Sequence, residues 1–340
     1  MGGEVRAARQ ELGNLAGRST AGDEFGVAVS RTVRTLVDFD GWCLIGLDPN
    51  NRLRTFQFGG HGVEVTVDNA QNEWLMSDVN QYADLAVREQ PIGWLSEAHP
   101  EACTSYRMNE ILRPQGVTSE MRMVLRDAGN VWGALVLFRE HPRQQFGEAE
   151  VSALSAVADL LSKAIRAHPV RPAPRVEALP AGTVLLDRDN QILAISHEAQ
   201  AWLDDLVPGG EDQTWPKDVT RVLFDAANTL RTNRARASTC IRTVSGRWLA
   251  VTATGLHFHG ADVALTLDAA SPQQILRTCV LHHGLTPREQ QVVALAVAGL
   301  ASKQLARRLG ISVWTVNEHL ASAYRKFGVS SREELVGILV

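Results

Sequence analysis

A multidomain α+β chain that ends in an all-α unit of four helices is what this 340-residue sequence predicts. Three observations predict it. Apolar strand-like runs recur as pairs at 41–58, 119–139 and 182–195 and as a trio at 238–267, joined by turns or loops and set among helical stretches. A proline-rich piece, His168-Pro-Val-Arg-Pro-Ala-Pro174, separates the second pair from the third. From Leu285 onward the strand patterns stop, and four short helical patterns with start and stop signals take over.

In chain order, Asp23 to Asp38 reads as a helix with Phe25, Val29, Val33 and Leu36 along one stripe. Gly41 to Asn51 and Arg52 to Phe58 read as a hairpin. A mixed, partly helical region carrying Trp74, Tyr82 and Trp94 follows. Ser119 to Asp127 and Val131 to Arg139 are two further strands, turning at Ala128-Gly129-Asn130. After Phe146-Gly147 one long helix runs to about Ala167. Its residues Val151, Leu154, Ala158, Leu161 and Ile165 form a heptad-like seam, either packing on the chain's own sheet or pairing with a second copy. These elements bound a first domain at residues 1–168.

Residues 169–175 are the linker, and 176–278 a second α+β domain. Gly182 to Ile195 is a strand, an Asp-Asn turn and a strand, after which Ser196 caps a helix with Trp202. Ser238–Thr243, Trp248–Thr254 and Val263–Leu267 are three more strands. A short helix from Gln273 to His282 leads on from them, and a second linker is assigned at 279–284.

The last domain, residues 285–340, is the most explicit. Thr286 caps a helix with Pro287 in its first turn and Glu289 completing a capping box; Gly299 ends it. A second helix starts at the Ser302 cap and stops at Gly310. Ser312 caps a third, from Val313 to about Phe327, closed by Gly328, and a fourth begins near Ser331. The short Gly310-Ile311-Ser312 turn holds the second and third helices steeply, as in a helix-turn-helix. On the third helix Val316, Leu320, Ala323 and Phe327 share the core side. Trp314, Asn317, Glu318, Ala321, Ser322 and Arg325 fall on or near the outer side. Trp314, near the start of the third helix, either stacks on a sugar or packs on a neighbouring helix, and packing is the favoured reading.

These residues carry a resemblance. Leu285-Thr-Pro-Arg-Glu289, Gly299, Leu305-Ala306, Ser312, Thr315-Val316, His319 and Lys326-Phe-Gly-Val329 with Ser331-Arg332 are similar to the LuxR-type helix-turn-helix. The resemblance implies binding of double-stranded DNA by a homodimer, with RNA polymerase as a further partner. Face and resemblance together nominate Lys303, Ser312, Thr315, Asn317, Glu318, His319, Ala321, Arg325, Lys326 and Arg332 as DNA contacts. Asn317 stands where the family usually has Lys, and Glu318 adds a negative charge. Both changes favour selective base reading (Asn on adenine, Glu on the cytosine amine) over strong backbone affinity.

The first domain resembles GAF domains through Val131-Trp-Gly-Ala-Leu-Val-Leu-Phe-Arg139, Phe146 and the closing helix. The middle domain resembles PAS domains through Val184-Leu-Leu-Asp187 and the Trp202 helix. A GAF likeness implies a small-molecule effector in a pocket on one sheet face, and Trp74, Tyr82 and Trp94 are its candidate wall. Trp74-Leu75 with Tyr82-Ala-Asp84 is also loosely similar to the pocket of acyl-homoserine-lactone quorum-sensing regulators, although the Asp-Pro expected after the tyrosine is missing. A third reading, methionine sulfoxide reduction as in some GAF domains, needs clustered thiols, whereas Cys43 and Cys103 lie far apart in sequence.

Composition agrees with a DNA-binding tail. Residues 285–340 hold seven Lys/Arg and four Asp/Glu. The remaining chain holds 27 basic and 34 acidic residues, so only the tail has the sign that attracts phosphate. Nothing approaches the ~20 consecutive apolar residues of a membrane span, and the first residues lack a secretory pattern, so a soluble cytoplasmic protein is expected. Cys43, Cys103, Cys240 and Cys279 make no metal or disulfide spacing, Cys43 reading as a small core residue. His257 and His259 alternate on a strand without further ligands. No P-loop, phospho-receiver or nucleophile framework is present. The expectation is a regulator, not an enzyme, with no cofactor and no metal.

Overall fold

The computed structural model describes residues 2–17, 22–60, 67–141, 144–168, 177–206, 217–233, 237–243, 245–256 and 260–339. His257, His259 and most of the proline-rich linker fall outside them. The described residues divide into two compact units, one ending at Ala269 and one running from Ala270. No described helix is long and apolar enough to cross a membrane.

The first unit opens with α1 (Gly2–Gly17), which the sequence reading did not anticipate. Its Ala8, Leu12 and Leu15 are buried, and Arg9 donates to Asp159 at 3.0 Å. After α2 (Gly22–Arg34) come β1 (Gly41–Leu47), β2 (Arg54–Gly60), α3 (Val67–Leu75), α4 (Tyr82–Leu85), β3 (Ile92–Ser96), β4 (Val117–Asp127) and β5 (Asn130–Glu140). Their sheet is antiparallel in the order β2-β1-β5-β4-β3. The β4–β5 turn is a two-residue loop with φ of 50° at Ala128 and 78° at Gly129. Left-handed backbone at both positions matches the right-handed twist of the strands it joins.

The expected single closing helix is two: α5 (Glu148–Ser155) and α6 (Ala158–Ala167), broken at Ala156–Val157. The break leaves Val157, from the opposite face of the pattern, fully buried. Val151, Leu154, Leu161 and Ile165 are all buried inside the chain, which favours the own-sheet reading of the seam.

A second sheet holds β6 (Gly182–Leu186), β7 (Ile192–Ile195), β8 (Ala237–Arg242), β9 (Trp248–Gly255) and β10 (Val263–Ala269). Its order, β7-β6-β10-β9-β8, repeats that of the first sheet when strands are counted within each domain. Helices α7 (His197–Leu206) and α8 (Lys217–Asn233) accompany it, and Trp202, Leu223, Ala227, Val251 and Leu265 lie in its core. Leu53 from the first domain enters the same cluster, and Trp74 packs against it.

The second unit comprises α9 (Pro272–His282), α10 (Pro287–Val297), α11 (Ser302–Leu309), α12 (Val313–Phe327) and α13 (Arg332–Leu339). The expected linker at 279–284 is corrected for its first four residues, which form the end of α9 with Cys279 fully buried. Apolar residues at Ile275, Cys279 and Val280 give α9 a face to bury, so the chain does not run free there. Leu335 and Leu339 of α13 are also fully buried and complete this core.

Candidate nucleic-acid interface

Local chemistry fixes the three central helices. Thr286 caps α10 reciprocally: Glu289 N–H donates to Thr286 Oγ1 at 3.3 Å, and Thr286 N–H donates to Glu289 Oε2 at 2.7 Å. The start of α11 differs from expectation. Ala301 occupies the cap position, its N–H bonded to Gln304 Oε1 at 2.8 Å, and Ser302 is the first helical residue. Gly310 closes α11 at φ 65°, a left-handed conformation that glycine adopts without a Cβ penalty, and Ile311 N–H returns to Ala306 O at 3.1 Å. Two residues later Ser312 Oγ accepts from Thr315 N–H at 3.0 Å and starts α12. Val292, Ala296, Leu305, Ala306, Val316 and Leu320 form the core beneath this turn.

Burial of that core side leaves one strip of α12 in solvent. Val313, Trp314, Asn317, Glu318, Ala321 and Arg325 are exposed. Trp314 is 72% exposed, which overturns the expectation that it packs on a neighbouring helix. Thr315, on the flank, is half-buried and hydrogen-bonds Ser312 side chain to side chain at 2.9 Å; His319 is half-buried. At the head of the strip a shallow open concavity of about 580 Å³ is lined by Lys303, Arg307, Gly310, Ile311, Ser312 and Val313. Two cations and a capped helix N-terminus at one depression suit an anion.

Two nominated residues have internal roles that spacing did not reveal. Lys326 Nζ donates to Glu289 Oε2 at 2.6 Å and to Gly284 O at 3.1 Å. Glu289, 4% exposed, also accepts from Ser322 Oγ at 2.7 Å, so one carboxylate ties α10 to α12. Burial pushes this carboxyl up, but the bonds from Lys326, Ser322 and Thr286 outweigh it and hold its pKa at about 2. Arg332 donates to the carbonyl of Ala296 in the last turn of α10 and to that of Leu300 just beyond it (2.6 Å to the latter). Arg288 does the same at Leu309 O, 2.7 Å away. Lys326 and Arg332, both nominated as DNA contacts, thus also hold the fold together.

In the first unit, the three aromatic candidates do not converge on a pocket. Trp74 leaves the first domain: its Nε1 donates to Asp225 Oδ1 on α8 at 2.9 Å. The likeness to an acyl-homoserine-lactone pocket loses its tryptophan with it. Tyr82 lies against the sheet face formed by β1, β5, β4 and β3 that carries Leu95, with the Arg122 guanidinium 4.6 Å from its ring. Trp94 neighbours Leu95 on β3 and so points to the opposite sheet face.

The Tyr82 side of the sheet holds instead an ionic cluster. Glu120 accepts from Arg107 Nε at 2.8 Å and from Arg122 Nε at 3.1 Å, and Arg122 reaches Glu73 at 2.8 Å. Burial pushes the Glu120 carboxyl up, yet the two guanidiniums win and hold it below the usual range. Burial also lifts the Tyr82 hydroxyl to about 12. The available signal was Glu120-Met-Arg122-Met, charges alternating with apolar residues on one strand. Cys103 is exposed, and Cys43 packs against the Tyr82 side of the core.

Comparison with known proteins agrees with this division. Residues 283–339 match the family described as bacterial regulatory proteins, luxR family, and residues 24–165 match the GAF domain. A Mycobacterium bovis protein named for HTH-type transcriptional regulation is 48% identical over 52 residues, which are 15% of this chain and 6% of that one. The chain thus spans only a small part of the curated relatives it matches. The GAF domain of a two-component sensor histidine kinase from Bacillus halodurans overlaps 40% of this chain and 87% of its own, at 14% identity and TM-score 0.28. The Vibrio cholerae VqmA dimer, described among LuxR-type receptors, overlaps 47% and 81% at 19% identity and TM-score 0.21. Neither overlap carries weight at such scores, and the assignment rests on the matched segments. Residues 283–339 are a luxR-family helix-turn-helix domain, and residues 24–165 are a GAF domain.

Proposed function

We propose that this chain is a sequence-specific transcriptional regulator of the cytoplasm that binds double-stranded DNA as a homodimer through α12. The observation that carries the reading is the solvent-facing strip of α12, with Asn317, Glu318 and Arg325 on it and Lys303 and Arg307 at its head, on a luxR-family domain. Asn317 and Glu318 read base edges, while Lys303, Arg307 and Arg325 meet phosphates. Ser312, Thr315, His319 and Ala321 shape the contact. The GAF domain and the PAS-like middle domain sense a small molecule or a protein partner and govern how two such helices are presented, about one DNA turn apart on a two-fold site. RNA polymerase is the downstream partner. This reading assigns no catalytic step, metal or cofactor.

Selection of genomic DNA fragments by the purified full-length chain, repeated over a salt series, tests it. An enriched two-fold motif supports the reading and names the targets. Binding that is only non-specific and salt-labile, with or without cell extract as a source of effector, sinks it. Asn317→Ala relaxes base preference at one position of each half-site. Lys303→Ala weakens all sequences alike and lowers the salt slope by up to about one unit. Identical behaviour of the two variants would refute the division of roles.

A further inference from the structure

Trp314 is the feature that the reading above leaves unused. An indole 72% in water, beside Val313 at 38%, leaves apolar area unburied in a domain whose other large apolar side chains are mostly inside. Its position explains why it cannot turn inward: Val316, Leu320 and Ala323 hold the core side of α12, and 314 lies about 200° around the helix from 316. Helical side chains also lean toward the N-terminus, so the indole projects over the first turn of α12. In a helix-turn-helix, that end of the recognition helix meets base edges.

The charges around it choose between backbone and bases. Glu318 sits four residues on, on the same exposed strip, and its carboxylate opposes any phosphate beside it. The cations lie at the two ends instead, Lys303 and Arg307 at the head and Arg325 toward the tail. A strip that is positive at both ends and apolar-to-acidic between them fits a groove floor bounded by two phosphate strands. Thymine presents to the major groove a methyl group and an O4 acceptor, and cytosine an amine donor. The indole offers an apolar face and one N–H donor, the carboxylate only acceptors. Four helical residues rise about 6 Å, which is one to two base-pair steps of about 3.4 Å.

We propose that Trp314 and Glu318 together read neighbouring pyrimidines in each half-site, the indole on a thymine methyl and the carboxylate on a cytosine amine. This rests on the DNA-binding reading of α12. A second copy of the chain is the weaker occupant of this patch. One indole and one valine are far short of the ~1,000 Å² that a stable protein interface needs.

The test takes the full-length chain and the duplex enriched by the fragment selection, with each thymine in turn replaced by deoxyuridine, which removes only the methyl. For the unaltered protein, one replacement per half-site weakens binding about 4-fold, the effect of one buried methyl. Trp314→Ala binds the parent duplex more weakly and becomes indifferent to that replacement. Trp314→Phe, which keeps an apolar ring, retains the discrimination. Glu318→Gln loses its preference for cytosine one or two pairs away and keeps the methyl effect. Methyl discrimination that survives in Trp314→Ala, or no thymine at which the methyl matters, overturns the proposal. So does a uniform loss on all duplexes, which would place the indole on the backbone. Failure to enrich any duplex would instead remove the DNA-binding reading itself.

Discussion

Glu289 does two jobs that its place in a capping box does not announce. It closes the start of α10 and accepts from Ser322 and Lys326 on α12, all from a position 4% exposed. Its carboxyl is held at about 2, against an ordinary 4.5, by those bonds acting against burial. A carboxyl depressed in the fold contributes stability that is fully present above about pH 4.5 and is lost as pH falls toward about 2. The shift sets a ceiling of about 3 kcal/mol on that contribution. Glu289→Gln should therefore lower the urea midpoint of the helical unit at pH 7, and the gap from the unaltered protein should close as pH falls toward 2. A gap of constant size would show that the charge is not what matters. Lys326→Ala belongs with it: loss of stability at neutral pH is expected, with the salt slope of DNA binding nearly unchanged. By contrast, Lys303→Ala should move the slope and leave stability alone. Both lysines looked equivalent in sequence, because spacing places a residue on a helix face without saying whether a carboxylate waits beside it.

At the scale of elements, α3 joins two domains. Consecutive residues Asn72 and Glu73 face the ionic cluster of the first domain, where Asn72 Nδ2 bonds Asp78 at 2.7 Å and Glu73 bonds Arg122. The next residue, Trp74, bonds Asp225 of α8, which also receives Arg54 Nε at 3.0 Å; Arg54 and Asp225 are both almost fully buried. Breaking a buried pair from one side leaves an uncompensated charge and costs about 3–5 kcal/mol. Asp225→Ala should thus destabilise the first unit by that order, and calorimetry should show a single transition for the two domains become two. Retention of one transition at an unchanged temperature would mean that the pair does not bind the domains together. The strands β1, β2 and β4 to β10 and the helices α2 and α7 were legible from periodicity, caps and turn residues, down to the Ala128-Gly129 hairpin, whereas α1, β3 and α8 were not. Contact across long separations was not legible either. The helix period runs unbroken through Ala156–Val157 although the helix does not, and aromatic residues in one stretch, Trp74, Tyr82 and Trp94, go to three different places.

Across the whole molecule, the charge asymmetry of the sequence acquires a sharper boundary. Residues 285–340 carry three more basic than acidic groups, and the rest of the chain seven more acidic than basic. Because α9 is packed into the helical unit, a fragment that begins at Leu285 discards the buried Ile275, Cys279 and Val280. It should be less stable than one that begins at Ala270, each exposed core side chain costing about 1.5–3 kcal/mol of lost burial. The longer fragment is therefore the right probe of what the acidic front does. A net negative front opposes the approach of DNA at long range, and salt screens that opposition within about 10 Å at 0.1 M. At equal dimer fraction, residues 270–340 should bind a specific duplex roughly 3- to 10-fold more tightly than the full chain at low salt. The advantage should vanish as salt rises. Equal affinity throughout would mean that the front exerts no field at the DNA-binding face. An advantage that persists at high salt would point to occlusion of α12 by contact, and would move the search for an effector to whatever relieves that contact.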